Sequence, residues 1–185
     1  MSVPSRARWS GTAALAVVPV ALALSAPVAW AGVTNTDNPD DTDGAGPRVV
    51  GTANVTLTAS SGEYAGDKIW FQIDVHTRGG LTRGTFQGRH SKPDGTVIGN
   101  LEGTLDCLLP GSDGRAVFTG RVTGGTAAGG VDIKGMGVSF TAHDSSAGDQ
   151  LGWVWVPASE PMGRCTEMAS ELLSLDSGDL VVRPK

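Results

Sequence analysis

The chain has 185 residues, a formal net charge of −5 and only 18% charged residues. With no basic excess and no basic run, it is expected to bind neither nucleic acid nor an anionic membrane surface. Its 27 glycines, about twice the usual share of ~7%, follow no three-residue period, which excludes collagen, and they disfavour long helices because each costs about 1 kcal/mol relative to alanine.

The N-terminus reads as an export signal. Arg6 and Arg8 precede the apolar run Ala13–Leu24, and Ala29 and Ala31 place small residues where a signal peptidase cuts. The run falls short of the ~20 residues that a spanning helix needs. Residues 1–31 are therefore expected to be a cleaved signal peptide, with the mature chain starting at Gly32. Arg6 and Arg8 are separated by Ala7, which favours the general secretory route, and no cysteine follows the cut for lipidation. The product is expected to be secreted, with no membrane span after cleavage. Loss of the two arginines takes the formal charge from −5 to −7. The 154 residues that remain of the 185 make one domain.

Residues 32–47, with Asp37, Asp40, Asp41 and Asp43 among turn formers, form a disordered acidic leader, and residues 48–185 form the folded domain. From Arg48 the apolar residues alternate with period two, the mark of half-buried strands. Val49, Ala53, Val55 and Leu57 share one face of the first strand; Phe71, Ile73 and Val75 share one face of the second, which turns Asp74 and His76 outward. "RGTFQGRHS" is the third strand, and "KPDG" is a turn with proline and glycine at the positions that need them. The fourth strand places Val97, Leu101, Leu105 and Cys107 on one face, together with Gly99 and Gly103. After "PGSDG" come "RAVFTGRVTGG", then a sixth strand aligning Met136, Val138, Phe140 and Ala142, and a seventh aligning Leu151, Trp153 and Trp155. "GDLVVR" is a short last strand.

Eight strands joined by short polar turns predict an all-β fold: one antiparallel meander closing into a small β-barrel, with a two-sheet β-sandwich as the alternative. Inner-face glycines permit the tight curvature, and closure removes exposed edges. One segment departs from the pattern. Thr166–Leu175 spaces Met168, Leu172 and Leu173 helically behind Thr166 as N-cap, which predicts one short helix or compact loop over an end of the barrel. Cys107 and Cys165 are the only cysteines; in an exported chain a single disulfide is the default, with two buried free thiols as the alternative.

The order F-Q-I-D at Phe71–Asp74, D-C-L at Asp106–Leu108 followed by F-T-G at Phe118–Gly120, and Asp144 with G-D-x-x-G at Gly148–Gly152 resembles a family of secreted actinobacterial β-barrel domains. Proteins of this family are described as uncharacterised or as repetin, and are similar to post-COAP domains. The likeness covers about Val49 to Val182. It implies an eight-strand barrel, secretion and paired cysteines, and it implies no activity.

The residues with catalytic chemistry gather in "AHDSSAGDQ", Ala142–Gln150, between two alternating strands. A Ser–His–Asp set must converge on a nucleophile beside an oxyanion hole, and no G-x-S-x-G elbow is present. A hairpin loop is the expectation here, with no catalytic residue. Asp144 and Asp149 make a weak calcium loop at most, because calcium takes six to eight oxygens. His76 and His143 fall at one end of strands that face each other across a barrel about 16 Å wide, too far apart to share a zinc, and His90 falls at the other end, where its inward parity suits a buried, hydrogen-bonded ring. No metal and no cofactor is expected. Trp70 faces out and is the best surface contact; Trp153 and Trp155 face in. The expected function is a secreted, non-enzymatic binding or structural domain with an extracellular or cell-surface partner. The alternatives are a small secreted hydrolase using Asp74, His76, His143 or Asp144, and a carrier of a small apolar ligand.

Overall fold

A computed structural model describes residues 46–166, 168–169 and 171–185. The expected signal peptide and most of the acidic leader lie outside the described residues. The last two leader residues, Gly46 and Pro47, already belong to the fold, since the Thr77 amide donates to the Pro47 carbonyl at 2.9 Å.

Nine antiparallel strands make one curled sheet: β1 Arg48–Thr56, β2 Lys68–Arg78, β3 Leu81–Ser91, β4 Val97–Pro110, β5 Arg115–Thr126, β6 Gly137–His143, β7 Gln150–Val156, β8 Leu173–Ser174 and β9 Ser177–Arg183. Each strand from β1 to β8 pairs with its sequence neighbour, except that β9 leaves β8 and pairs with β1, giving the order β8-β7-β6-β5-β4-β3-β2-β1-β9. The sheet is the predicted meander with one strand added, the two-residue β8. It curls into a half-barrel, and no backbone ladder joins β9 to β7 or β8.

The inner face is the core. Phe71, Phe86, Phe118 and Phe140 are all at most 1% exposed. Phe140 is their centre: its ring lies 5.1 Å from Phe71, 5.3 Å from Phe86 and 5.2 Å from Phe118, edge-on to the first two and stacked on the third. Such pairs add about 0.5–1.5 kcal/mol each beyond burial. Gly103 makes room for this cluster, because a Cβ there would strike the Phe86 ring and the Arg121 carbonyl. The "KPDG" turn forms as its residues require, with Gly95 at φ +88° and the Thr96 amide donating to Asp94 Oδ1 at 2.8 Å. That bond holds the Asp94 carboxyl below its ordinary pKa.

The expected helix at Thr166–Leu175 does not form among the described residues, and Thr166 caps nothing. The described residues between β7 and β8 run instead as an irregular strap over the outer face of β5–β7. Outward Thr119, Ser139 and Thr141 are buried beneath it. Thr119 Oγ1 accepts from the Cys165 amide at 3.2 Å, and Thr141 Oγ1 from the Ala169 amide at 3.0 Å. Backbone groups of the strap thus find side-chain partners on the sheet, which outweighs a weak helical pattern that supplies its own bonds only once nucleated.

Cys107 and Cys165 form a disulfide with a Cα–Cα separation of 5.8 Å. Cys107 is not on the inner face with Leu105 as expected. The β4–β5 register shifts between Leu105 and Cys107, and this bulge reverses the parity. Cys107 then lies opposite Thr119, and Leu108 opposite Phe118. The reversal turns the cysteine outward, where the strap can reach it. The bridge spans 58 residues, for which the chain-entropy model gives about 4 kcal/mol. The protein should show no free thiol on denaturing alkylation and mass spectrometry. Cys107→Ser with Cys165→Ser should lower unfolding stability by about 2–5 kcal/mol in denaturant titrations.

Candidate functional site

The β6–β7 hairpin holds most of the polar chemistry, and its geometry gives those groups another task. Asp144 Oδ2 accepts from the Val182 amide at 3.0 Å, and Asp149 Oδ2 accepts from the Leu180 amide at 2.9 Å. These amides belong to alternate residues on the edge of β9 that has no strand beside it. Asp149 Oδ1 also accepts from the Ser145 amide at 3.3 Å. Ser145 Oγ donates to the Gly148 carbonyl at 2.9 Å, and Gly148 sits at φ +114° as the loop requires. His143 Nδ1 donates to Gln150 Oε1 at 3.3 Å. Each acidic or basic member of the loop therefore has a structural partner. The proposed calcium ligands Asp144 and Asp149 spend lone pairs on backbone amides, and among the described residues no group of three or more His, Cys, Asp or Glu could hold a metal ion.

The other sequence candidates are dispersed. Asp74 and His76 lie together on the outer face of β2, with His76 Nδ1 3.9 Å from Asp74 Oδ1. Trp70 is on the outer face as expected, half-buried, with the Arg89 guanidinium 5.5 Å from its ring centroid.

A hollow that the alternation pattern does not reveal opens where the β1–β2, β3–β4 and β5–β6 connections meet. It measures about 180 Å³, and its walls include Phe71, Leu101, Ile133, Met136, Trp153 and Trp155. Trp153 and Trp155 are inward as expected but half-buried, because they bound this space rather than fill the centre. The Phe71 ring packs edge-on to Trp153 at 5.0 Å. His90, which also lines the hollow, donates from Nε2 to Asp67 Oδ2 at 2.8 Å. Both side chains are nearly buried, and the Tyr64 ring packs edge-on against the imidazole with centroids 5.2 Å apart. His90 is hydrogen-bonded as its parity suggested, and partly rather than fully buried. Its partner Asp67 was not foreseeable, since it lies in a loop 23 residues away and no spacing rule links the two. A ring held at one nitrogen by a carboxylate and on its edge by an aromatic neighbour is a fixed polar group in an apolar wall, the arrangement of a small-molecule pocket.

No protein-family model, curated protein or solved structure matches this chain, so no known protein lends it an activity or a ligand.

Both hairpin carboxylates make charge-assisted bonds, worth about 1.5–3 kcal/mol each. Asp149→Ala should lower stability by about that amount and speed hydrogen exchange at Leu180, with a matching effect of Asp144→Ala at Val182. Exchange at Phe118, deep in the sheet, should change only as far as global stability does.

Proposed function

We propose that this chain is an exported, non-enzymatic binding domain that takes one aromatic or branched aliphatic group into the hollow beside His90. The observation that carries this reading is the combination of two tryptophans, a fixed imidazole and unfilled space. The volume decides the size of ligand. About 180 Å³ exceeds the roughly 150 Å³ that accepts a benzene ring and falls below the roughly 300–1,000 Å³ of pockets for drug-sized ligands. A single ring or a side chain of a larger partner fits, and a whole lipid does not. The carrier alternative is thereby narrowed to a domain that grips one end of its ligand.

Export is supported by the N-terminal pattern, the resemblance to secreted β-barrel domains and the long-range disulfide, a bond of oxidising compartments. Among the described residues no helix is long and apolar enough to cross a membrane. The non-enzymatic reading is supported by the occupation of the hairpin's aspartates, histidine and Ser145 in bonds that hold the fold.

Indole and naphthalene, titrated into the mature protein, should bind saturably, followed by chemical-shift changes at the Trp153 and Trp155 side chains. Ala128→Trp, at the wall of the hollow in an irregular turn, should abolish the shifts while leaving the unfolding midpoint within a few degrees. Unchanged shifts in the wild-type protein up to the solubility of both probes would remove the reading.

A further inference from the structure

At the opposite end of the sheet, the outer face gathers cations that are scattered in the sequence. Arg48 pairs in register with Arg183 of β9 on one side and His76 of β2 on the other, and His76 pairs with Arg83 of β3. All four occupy outward positions, so they form one row across four adjacent strands. Strand spacing of about 4.8 Å makes the row about 14 Å long. A groove of about 370 Å³ follows its β9–β1–β2 part, lined by Arg183, Arg48 and His76 together with Arg78, Lys185 and Asp74, and Arg83 lies beyond its end. Asp74 is the single acid there. Among the described residues, no carboxylate lies within ion-pair distance of Arg48, Arg83 or Arg183.

Arg48 and Arg183 are like charges directly opposite on neighbouring strands, which is destabilising. The row is the more unusual in a chain whose acids outnumber its lysines and arginines by 19 to 14. Nothing in the fold calls for it: the core lies on the other face, and the neighbouring outward row, Val181, Val50, Asp74 and Thr85, carries one charge. A bound anion would relieve the repulsion, and arginine forks suit oxyanions with several oxygens.

We propose that this groove is a second binding site, for a ligand bearing phosphate or sulfate groups in series. No basic run in the sequence marks this site, because the register alone brings Arg48, Arg83 and Arg183 into one row with His76. The groove's length selects an extended ligand over a single ion: two or three anionic groups spaced about 5 Å apart can run from Arg183 and Lys185 past Arg48. The site is separate from the hollow beside His90 and does not depend on it.

The test is titration of the mature protein at low ionic strength with inorganic phosphate, pyrophosphate and a short-chain polyphosphate, alongside sulfated dextran. Affinity should rise at least tenfold from phosphate to polyphosphate and fall steeply with salt. Arg48→Gln with Arg183→Gln should weaken polyphosphate binding at least tenfold, whereas Lys134→Gln, an exposed cation away from the row, should change it less than twofold. Comparable binding of polyphosphate and sulfated dextran marks a general oxyanion groove, and preference for one identifies the ester; both support the site. The same titration on a chain with Asp37, Asp40, Asp41 and Asp43 changed to asparagine removes the acids of residues 32–47 as competitors. Absence of saturable binding in both forms, or equal loss in the Lys134 variant, overturns the proposal.

Discussion

Two carboxylates hold the two sides of this sheet together. A curled sheet without a full ladder at its seam leaves a row of unpaired amides, which is costly if buried and adhesive if exposed. Here Asp144 and Asp149 reach from one hairpin to alternate amides of β9. The supports around them follow the same logic. Thr56 Oγ1 donates to Asp176 Oδ2 at 2.6 Å, and Thr58 and Ser60 hydroxyls donate to Glu171 at 3.0 and 2.8 Å. Side chains thus continue across the seam what backbone pairing does elsewhere. The aromatic cluster can remain enclosed only because this boundary holds.

That constraint explains why the segment richest in reactive residue types is a structural one. Aspartate is suited to a seam because an ionised carboxylate accepts two or more bonds and gives shorter, stronger ones than a neutral acceptor. Asp149 uses both oxygens, one for its own loop and one for β9. The histidine and the serine beside it are held by local bonds that shape the turn.

The strands were legible because one-sided burial enforces period two, as Phe71, Ile73 and Val75 show, and because glycine and proline mark turns such as that around Asp94 and Gly95. What escaped was whatever depends on long-range register or on a single inserted residue. The bulge before Cys107 reverses a parity that alternation alone extends unbroken. Thr119, Ser139 and Thr141 look like solvent-facing positions until the strap covers them. Asp67 beside His90, and the arginines of β9, β1 and β3 in one row with His76 of β2, become neighbours only through the fold. The helical spacing of Met168, Leu172 and Leu173 misled because tertiary partners for the backbone outweighed an intrinsic preference. The hollow escaped for a related reason: inward parity places Trp153 and Trp155 without saying whether they meet other atoms or open space.

The pairing of β1 with β9 also sets an order of events for the whole molecule. The first strand borders the last, so its second neighbour does not exist until residues 177–183 have been delivered. A partial chain emerging N-terminus first can assemble a meander, yet it lacks both the partner of β1 and the amides that Asp144 and Asp149 bind. Contacts this distant in sequence slow folding, and they do so here at the pairing that borders the first strand. The architecture therefore completes its sheet only when the C-terminal strand is in place.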